Sequence, residues 1–213
     1  MKGIIFTAES VRAIEAGRKT QTRRIIPTDT RPQSANTFMR GFPPNPVNVR
    51  MCGPYAKCDA PPGSHSVSYR VKPRYTVGKI VYVKETWAQI QNDGEPPYIE
   101  YRADTGNPLP GEWPEKEMTP LRWKSPLHMP QWAARHFLRI ESVRAERLQD
   151  ISEEDARAEG VTLRVQTGPT TLLCRPWATE YRLLWDSLDG RRPGCSWAEN
   201  PFCWVYSLRR VER

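Results

Sequence analysis

The sequence predicts an α+β fold, a small mixed β-barrel with a few short peripheral helices. Three observations predict it. Several segments alternate apolar and polar residues with period two, the pattern of half-buried strands. A few short segments carry helical apolar spacing between a capping residue and a glycine stop. The prolines gather in two long stretches without periodicity, which read as loops inserted into one scaffold. The 213 residues suffice for one well-buried core and are short for two. A single domain over residues 1–213 is therefore expected, with loop-rich insertions at about 27–76 and 104–121.

The elements follow in order. Met1 to Phe6 is the first strand, and Ala8 to Ala16 a short helix. Thr7 is its N-cap, Val11, Ile14 and Ala8 its apolar stripe, and Gly17 its stop. Thr22 to Ile26 reads as a strand. From Pro27 to Pro73 there are nine prolines, and residues 28–65 are expected to be irregular or poorly ordered, with the chain near Tyr69 pairing with the sheet. Lys79 to Ala88 alternates β-branched and aromatic residues and reads as one strand, with Tyr98 to Arg102 as a partner. Phe137 to Arg147 alternates apolar and charged residues, as a half-exposed strand does. Ser152-Glu153-Glu154-Asp155 opens a helix that Gly160 ends. Trp177 to Leu188 places Trp177, Tyr181, Leu184, Trp185 and Leu188 on one helical face. Trp204 to Val211 is the last strand. It, the first strand, the Val77 strand and the Phe137 strand are expected to share one barrel-like sheet.

Composition narrows the function classes. Hydrophobic content of 38% and charged content of 26% exclude a chain disordered throughout. No apolar run reaches the roughly 18 residues that span a bilayer, and the N-terminus lacks a signal-peptide core and cleavage site. A cytoplasmic location without membrane contact is expected. The five cysteines, an odd number, argue for free thiols. Cys52 and Cys58 stand too far apart for usual zinc spacing, and neither metal nor cofactor is expected. The net charge of +8 is uneven: residues 1–75 hold 13 Lys plus Arg against 4 Asp plus Glu, and the remainder 19 against 20. Such a basic first third is the footprint of a nucleic-acid or nucleotide partner.

Within that basic third, Gly17-Arg18-Lys19-Thr20-Gln21-Thr22-Arg23-Arg24 places cations and hydroxyls on a tight helix-to-strand connection. A connection on a rigid scaffold is a good place to hold an anionic or polar ligand. Glu159 is the second odd feature. It puts a carboxylate at the negative end of a helix dipole, where Lys or Arg is preferred.

The strand, short helix, Gly-x-Lys-Thr and x-Thr-x-Arg together resemble the start of the ASCH domain, a relative of the PUA fold. Val77 to Trp87, Trp123 to Pro130 and Glu146 to Ala156 resemble segments of the larger ASCH-like proteins common in phage and prophage genomes. Leu184 to Leu188 and Asn200 to Val205 complete the pattern, in order, over most of the chain. The resemblance implies a PUA-like barrel and a nucleoside or nucleic-acid partner, RNA ahead of DNA; nothing identifies a protein partner. Some ASCH proteins are amidohydrolases that deacetylate N4-acetylcytidine with a lysine, a threonine and a glutamate. Matched by motif, these fall on Lys19, Thr22 and Glu159, with Arg24 following.

The chemistry is coherent: amide hydrolysis needs a nucleophile, a proton shuttle and a group to hold the oxyanion. Lys19, its pKa lowered by a neighbouring arginine, takes the Thr22 proton, and Glu159 moves protons to the leaving amine. Alternatively Thr22 donates a hydrogen bond and Glu159 is the base for direct attack by water. Arg23, Arg24, Glu85, Trp87 and His128 are the candidate binding residues, Trp87 by stacking on a base. Two other readings stand beside this one: a PUA-like RNA- or DNA-binding module without catalysis, and a ribonuclease using Lys19 and Glu159.

Overall fold

A computed structural model describes residues 1–26, 48–52, 55–59, 69–91, 96–105, 122–163 and 176–212. The fold is α+β. Its centre is a five-stranded sheet in the order β1-β6-β9-β10-β2, made of β1 (Lys2–Ile5), β6 (Ile80–Lys84), β9 (Phe137–Arg147), β10 (Phe202–Val211) and β2 (Gln21–Ile25). β1 runs parallel to β6, and the remaining pairs are antiparallel. The four strands expected to share a sheet do so. Among the described residues no ladder joins β1 to β2, so the strand order is that of an open sheet.

The helices form where the caps lie. In α1 (Ala8–Glu15) the Thr7 hydroxyl accepts from the Ser10 N–H at 3.2 Å, and Gly17 leaves the helix at φ 70°. In α3 (Glu153–Ala158) the Ser152 hydroxyl accepts from the Asp155 N–H at 3.1 Å, and Glu159 is the C-cap. In α4 (Pro176–Leu188) Tyr181 and Trp185 are buried, and Trp177 and Leu184 half-buried. The expected stripe is one residue too long, because Leu188 is exposed at the last turn. The short α2 (Arg102–Thr105) follows β8 (Tyr98–Tyr101).

Alternation along β10 divides the apolar side chains between two cores. Trp204, Tyr206 and Leu208 pack with Ile4, Phe6, Val11 and Ile14, so α1 closes over one face. Cys203 points the other way, to Leu148, Ile151 and Ala156, with Tyr181 and Trp185 of α4. The sheet is thus covered on both faces near β2, which takes ionisable side chains of the β2 connection out of water.

Three expectations are corrected. Residues 28–65 are not irregular throughout: β3 (Asn48–Cys52) and β4 (Tyr55–Asp59) pair antiparallel, while 28–47, 53–54 and 60–65 lie outside the described residues. The chain at Tyr69 does pair, but as β5 (Tyr69–Val71) on β4, in a separate three-stranded sheet. The run Lys79 to Ala88 is two strands. It breaks after Lys84, and β7 (Trp87–Ile90) pairs with β8 in a two-stranded sheet. Glu85 sits at the break and is drawn to Arg135, a tertiary contact that no local pattern announces. Of the second proline-rich stretch, Asp104 and Thr105 belong to α2, and 106–121 lie outside the described residues.

Candidate functional site

The connection after α1 is fixed by backbone bonds before any side chain acts. The Arg18 and Lys19 N–H groups both donate to the Ala13 carbonyl, at 2.9 and 3.0 Å. Thr20 N–H donates to Ala158 O at 2.9 Å, and Leu208 N–H to Thr20 O at 2.8 Å. Lys19 and Glu159 form an isolated antiparallel bridge, although 140 residues separate them. Gly160 makes the approach possible. Its φ is 82°, and a Cβ there would stand 2.7 Å from Lys19 Cβ and 2.9 Å from Ala13 Cβ.

On that frame Lys19 Nζ donates to Glu159 Oε2 at 2.8 Å and to the Glu159 carbonyl at 2.7 Å. The other carboxylate oxygen, Oε1, accepts from Arg23 Nη1 at 3.3 Å. Arg23 Nη2 reaches Asp155 Oδ2 at 3.0 Å and also pairs with Glu146. Arg144 closes the cluster from the solvent side, at 2.9 Å from Glu146 Oε2 and paired with Asp155. Three cations thus face three carboxylates. The inner members, Lys19, Arg23 and Glu159, are each no more than 6% exposed. Charges so far from water persist only when paired and hydrogen-bonded.

Burial pushes the Lys19 ammonium below its usual pKa. Glu159 opposes that shift, while Arg24 and Arg23 add to it. Arg23 goes the other way. Burial works against its charge, but Glu159 and Glu146 outweigh it and hold the guanidinium above its ordinary value. Burial, with Glu159 next, keeps the Tyr181 phenol protonated. The site therefore combines an ammonium whose pKa is lowered by burial with a carboxylate in direct contact with it. A pair of this kind can move protons or hold a developing oxyanion.

Lys19 and Glu159 come together as the sequence implied. Thr22 lies buried in β2 beside Arg23, opposite Tyr206 on the face that holds Phe6. No hydrogen bond ties it to Lys19 or Glu159 among the described residues. Arg24 is half-buried on the same face, 5.3 Å from the Phe6 ring centroid, and donates to Ile5 O at 2.8 Å. Lys19 Nζ stands 5.7 Å from the same centroid, so Phe6 floors both cations. Among the described residues no carboxylate pairs with Arg24.

The other expected binding residues are corrected. Arg23 offers nothing to a ligand: its side chain has no exposed surface and three carboxylates hold it. Glu85 is buried in a second network, bound by Arg135 through both oxygens at 2.9 and 3.0 Å. Trp87 belongs to a small third core with Met129 and Ala133, edge-on to Trp132. His128 is exposed on a one-turn 3-10 helix, and among the described residues no hydrogen bond ties it to Lys19 or Glu159. Sequence reasoning also missed Glu146, Asp155 and Arg144. Arg144 and Glu146 share one face of a strand by period two, the one signal that would have paired them.

Among the described residues no helix is long and apolar enough to cross a membrane. Comparison with protein-family models, curated proteins and solved structures gives no match.

Proposed function

We propose that the chain is a nucleobase-directed amidohydrolase of the ASCH type, built on a PUA-like barrel, that removes the acyl group from N4-acetylcytidine or a related modified base. The observation that carries this reading is the buried contact of Lys19 with Glu159, the lysine and glutamate that match the motif. Support for the barrel is the five-stranded mixed sheet with β1 and β2 at its ends and α1 over one face.

In this mechanism Glu159 is the anion, since both of its oxygens accept from cations. It takes a proton from water as the water oxygen bonds to the acyl carbon. The oxyanion that forms is held by the Lys19 ammonium, with the Thr22 hydroxyl as a second donor. The carbon–N4 bond then breaks, and Glu159 returns its proton to N4. The products are cytidine and acetate, so one water is consumed for each amide cleaved. Arg24, whose partners among the described residues are two carbonyls and a ring with no carboxylate, is a cation placed to meet substrate. That same feature favours a second reading, a binding module in which Arg24 holds an anion and no bond is broken.

Incubation of the purified protein with N4-acetylcytidine and longer acyl analogues separates the two. Release of cytidine supports the hydrolase. Nucleoside binding without release, measured by calorimetry on the same sample, overturns it in favour of the binding module.

A further inference from the structure

We propose that Arg23 is a positioning residue, holding the Glu159 carboxylate in place against the Lys19 ammonium while Glu146 and Asp155 hold Arg23 itself. The assignment rests on the reading that Lys19 and Glu159 do the chemistry. The geometry is directional. Arg23 gives Nη1 to Glu159 in front and Nη2 to Glu146 and Asp155 behind. Glu159 comes from the end of α3, Asp155 from the α3 body and Glu146 from β9, so one guanidinium ties the Glu159 cap to the sheet. Among the described residues its Nε is buried with no hydrogen-bond partner.

The arrangement sets the charge felt by Lys19. The ionisable groups around the pair are Arg23 and Arg24 from β2, Glu159 and Asp155 from α3, Tyr181 from α4, Glu146 and Arg144 from β9 and Cys203 from β10. Arg18 lies alongside, donating to Gly160 O at 3.3 Å. Loss of Arg23 removes a cation near Lys19 and leaves Glu159 to Lys19 alone, and both changes favour the protonated amine. Loss of the Glu146 charge leaves Arg23 less compensated, which favours the neutral amine. The two substitutions therefore move Lys19 in opposite directions. An Arg23 whose charge does not act on Lys19 gives no such opposition.

The test is titration of the Lys19 side chain by nuclear magnetic resonance in lysine-labelled protein, without substrate. Compared are wild type, Arg23→Gln, Arg23→Lys and Glu146→Gln. The expected result is a midpoint raised by about one pH unit or more in Arg23→Gln. Arg23→Lys, which keeps the charge, lies close to wild type, and Glu146→Gln is lowered. Equal midpoints throughout, or displacement of Arg23→Gln and Glu146→Gln in the same direction, overturns the proposal. If Arg23→Gln does not fold, Glu146→Gln decides alone, because Glu146 touches neither Lys19 nor Glu159: a lowered midpoint supports the role and an unchanged one overturns it. A protein inert toward amides but showing the expected midpoints overturns the reaction and leaves the positioning of Glu159 by Arg23 intact.

Discussion

Replacing Glu159 by Gln leaves two buried cations with one neutral acceptor between them. Among the described residues Lys19 loses its one hydrogen-bonded side-chain partner but keeps the Glu159 carbonyl at 2.7 Å. Arg23 loses its weakest contact, at 3.3 Å, and keeps Asp155 and Glu146. Breaking a buried pair by removing one partner costs about 3–5 kcal/mol. The surviving contacts place this case at the lower end, about 3 kcal/mol, or roughly 6–12 °C in Tm for a chain of this size. Lys19→Met in the Glu159→Gln background removes the stranded ammonium and should recover most of that loss. The sign with pH follows from Lys19. Its folded pKa is below its unfolded value, so the unfolded state binds more protons and stability rises with pH across the interval between the two. Without Glu159 the folded value falls further and the interval widens, so Glu159→Gln gains stability with rising pH over a wider range than wild type, which two pH values below the ordinary lysine pKa sample. Urea unfolding followed by tryptophan fluorescence measures all three proteins at both pH values. A loss under 1 kcal/mol in Glu159→Gln, or a double variant no more stable than Glu159→Gln, would refute the claim that the pair is buried and coupled.

Gly160→Ala forces a side chain into left-handed backbone and against Lys19 and Ala13, and should lower stability by about 2 kcal/mol or more in thermal unfolding; wild-type stability would show that the approach of the two segments is loose. Glu85→Gln removes half of a bidentate buried pair with Arg135 and should cost about 3 kcal/mol, with little change in turnover per folded molecule; a selective loss of turnover would return Glu85 to the site. Burial, with Arg135 adding to it, holds the His136 imidazole below its ordinary value, against the pull of Glu15 and Glu85. The unfolded state then takes up protons first, so stability falls as the pH drops through about 6.5 and His136→Phe should flatten that slope in urea titrations. An unchanged slope would assign the acid sensitivity elsewhere.

The parts legible in the sequence are those that local chemistry decides. Thr7 and Ser152 cap helices because their hydroxyls reach an N–H three residues on, and Gly17 ends α1 because left-handed backbone suits glycine. Glu159 stood out for the same reason, as a carboxylate against a helix dipole, and its compensation is the Lys19 ammonium that the fold delivers. Arg23 was misread because a run of basic residues reads as a ligand-facing surface. Strand alternation turns Arg23 to the α3 side and Arg24 to the Phe6 side, and the carboxylates that absorb Arg23 lie more than 120 residues away. The break at Glu85 was invisible for a similar reason. Ile80 to Trp87 alternates without interruption, and only Arg135, brought in by the start of β9, turns the chain between two sheets.

The central claim is that the Lys19–Glu159 pair is a reaction centre and not merely a buried ion pair. Its most direct test is the rate of cytidine release from N4-acetylcytidine by wild type and by the Lys19→Met, Glu159→Gln double variant, both shown folded by circular dichroism. The account predicts release by wild type and none above background by the double variant. Equal release by the two proteins would contradict it, and so would a wild type that releases nothing.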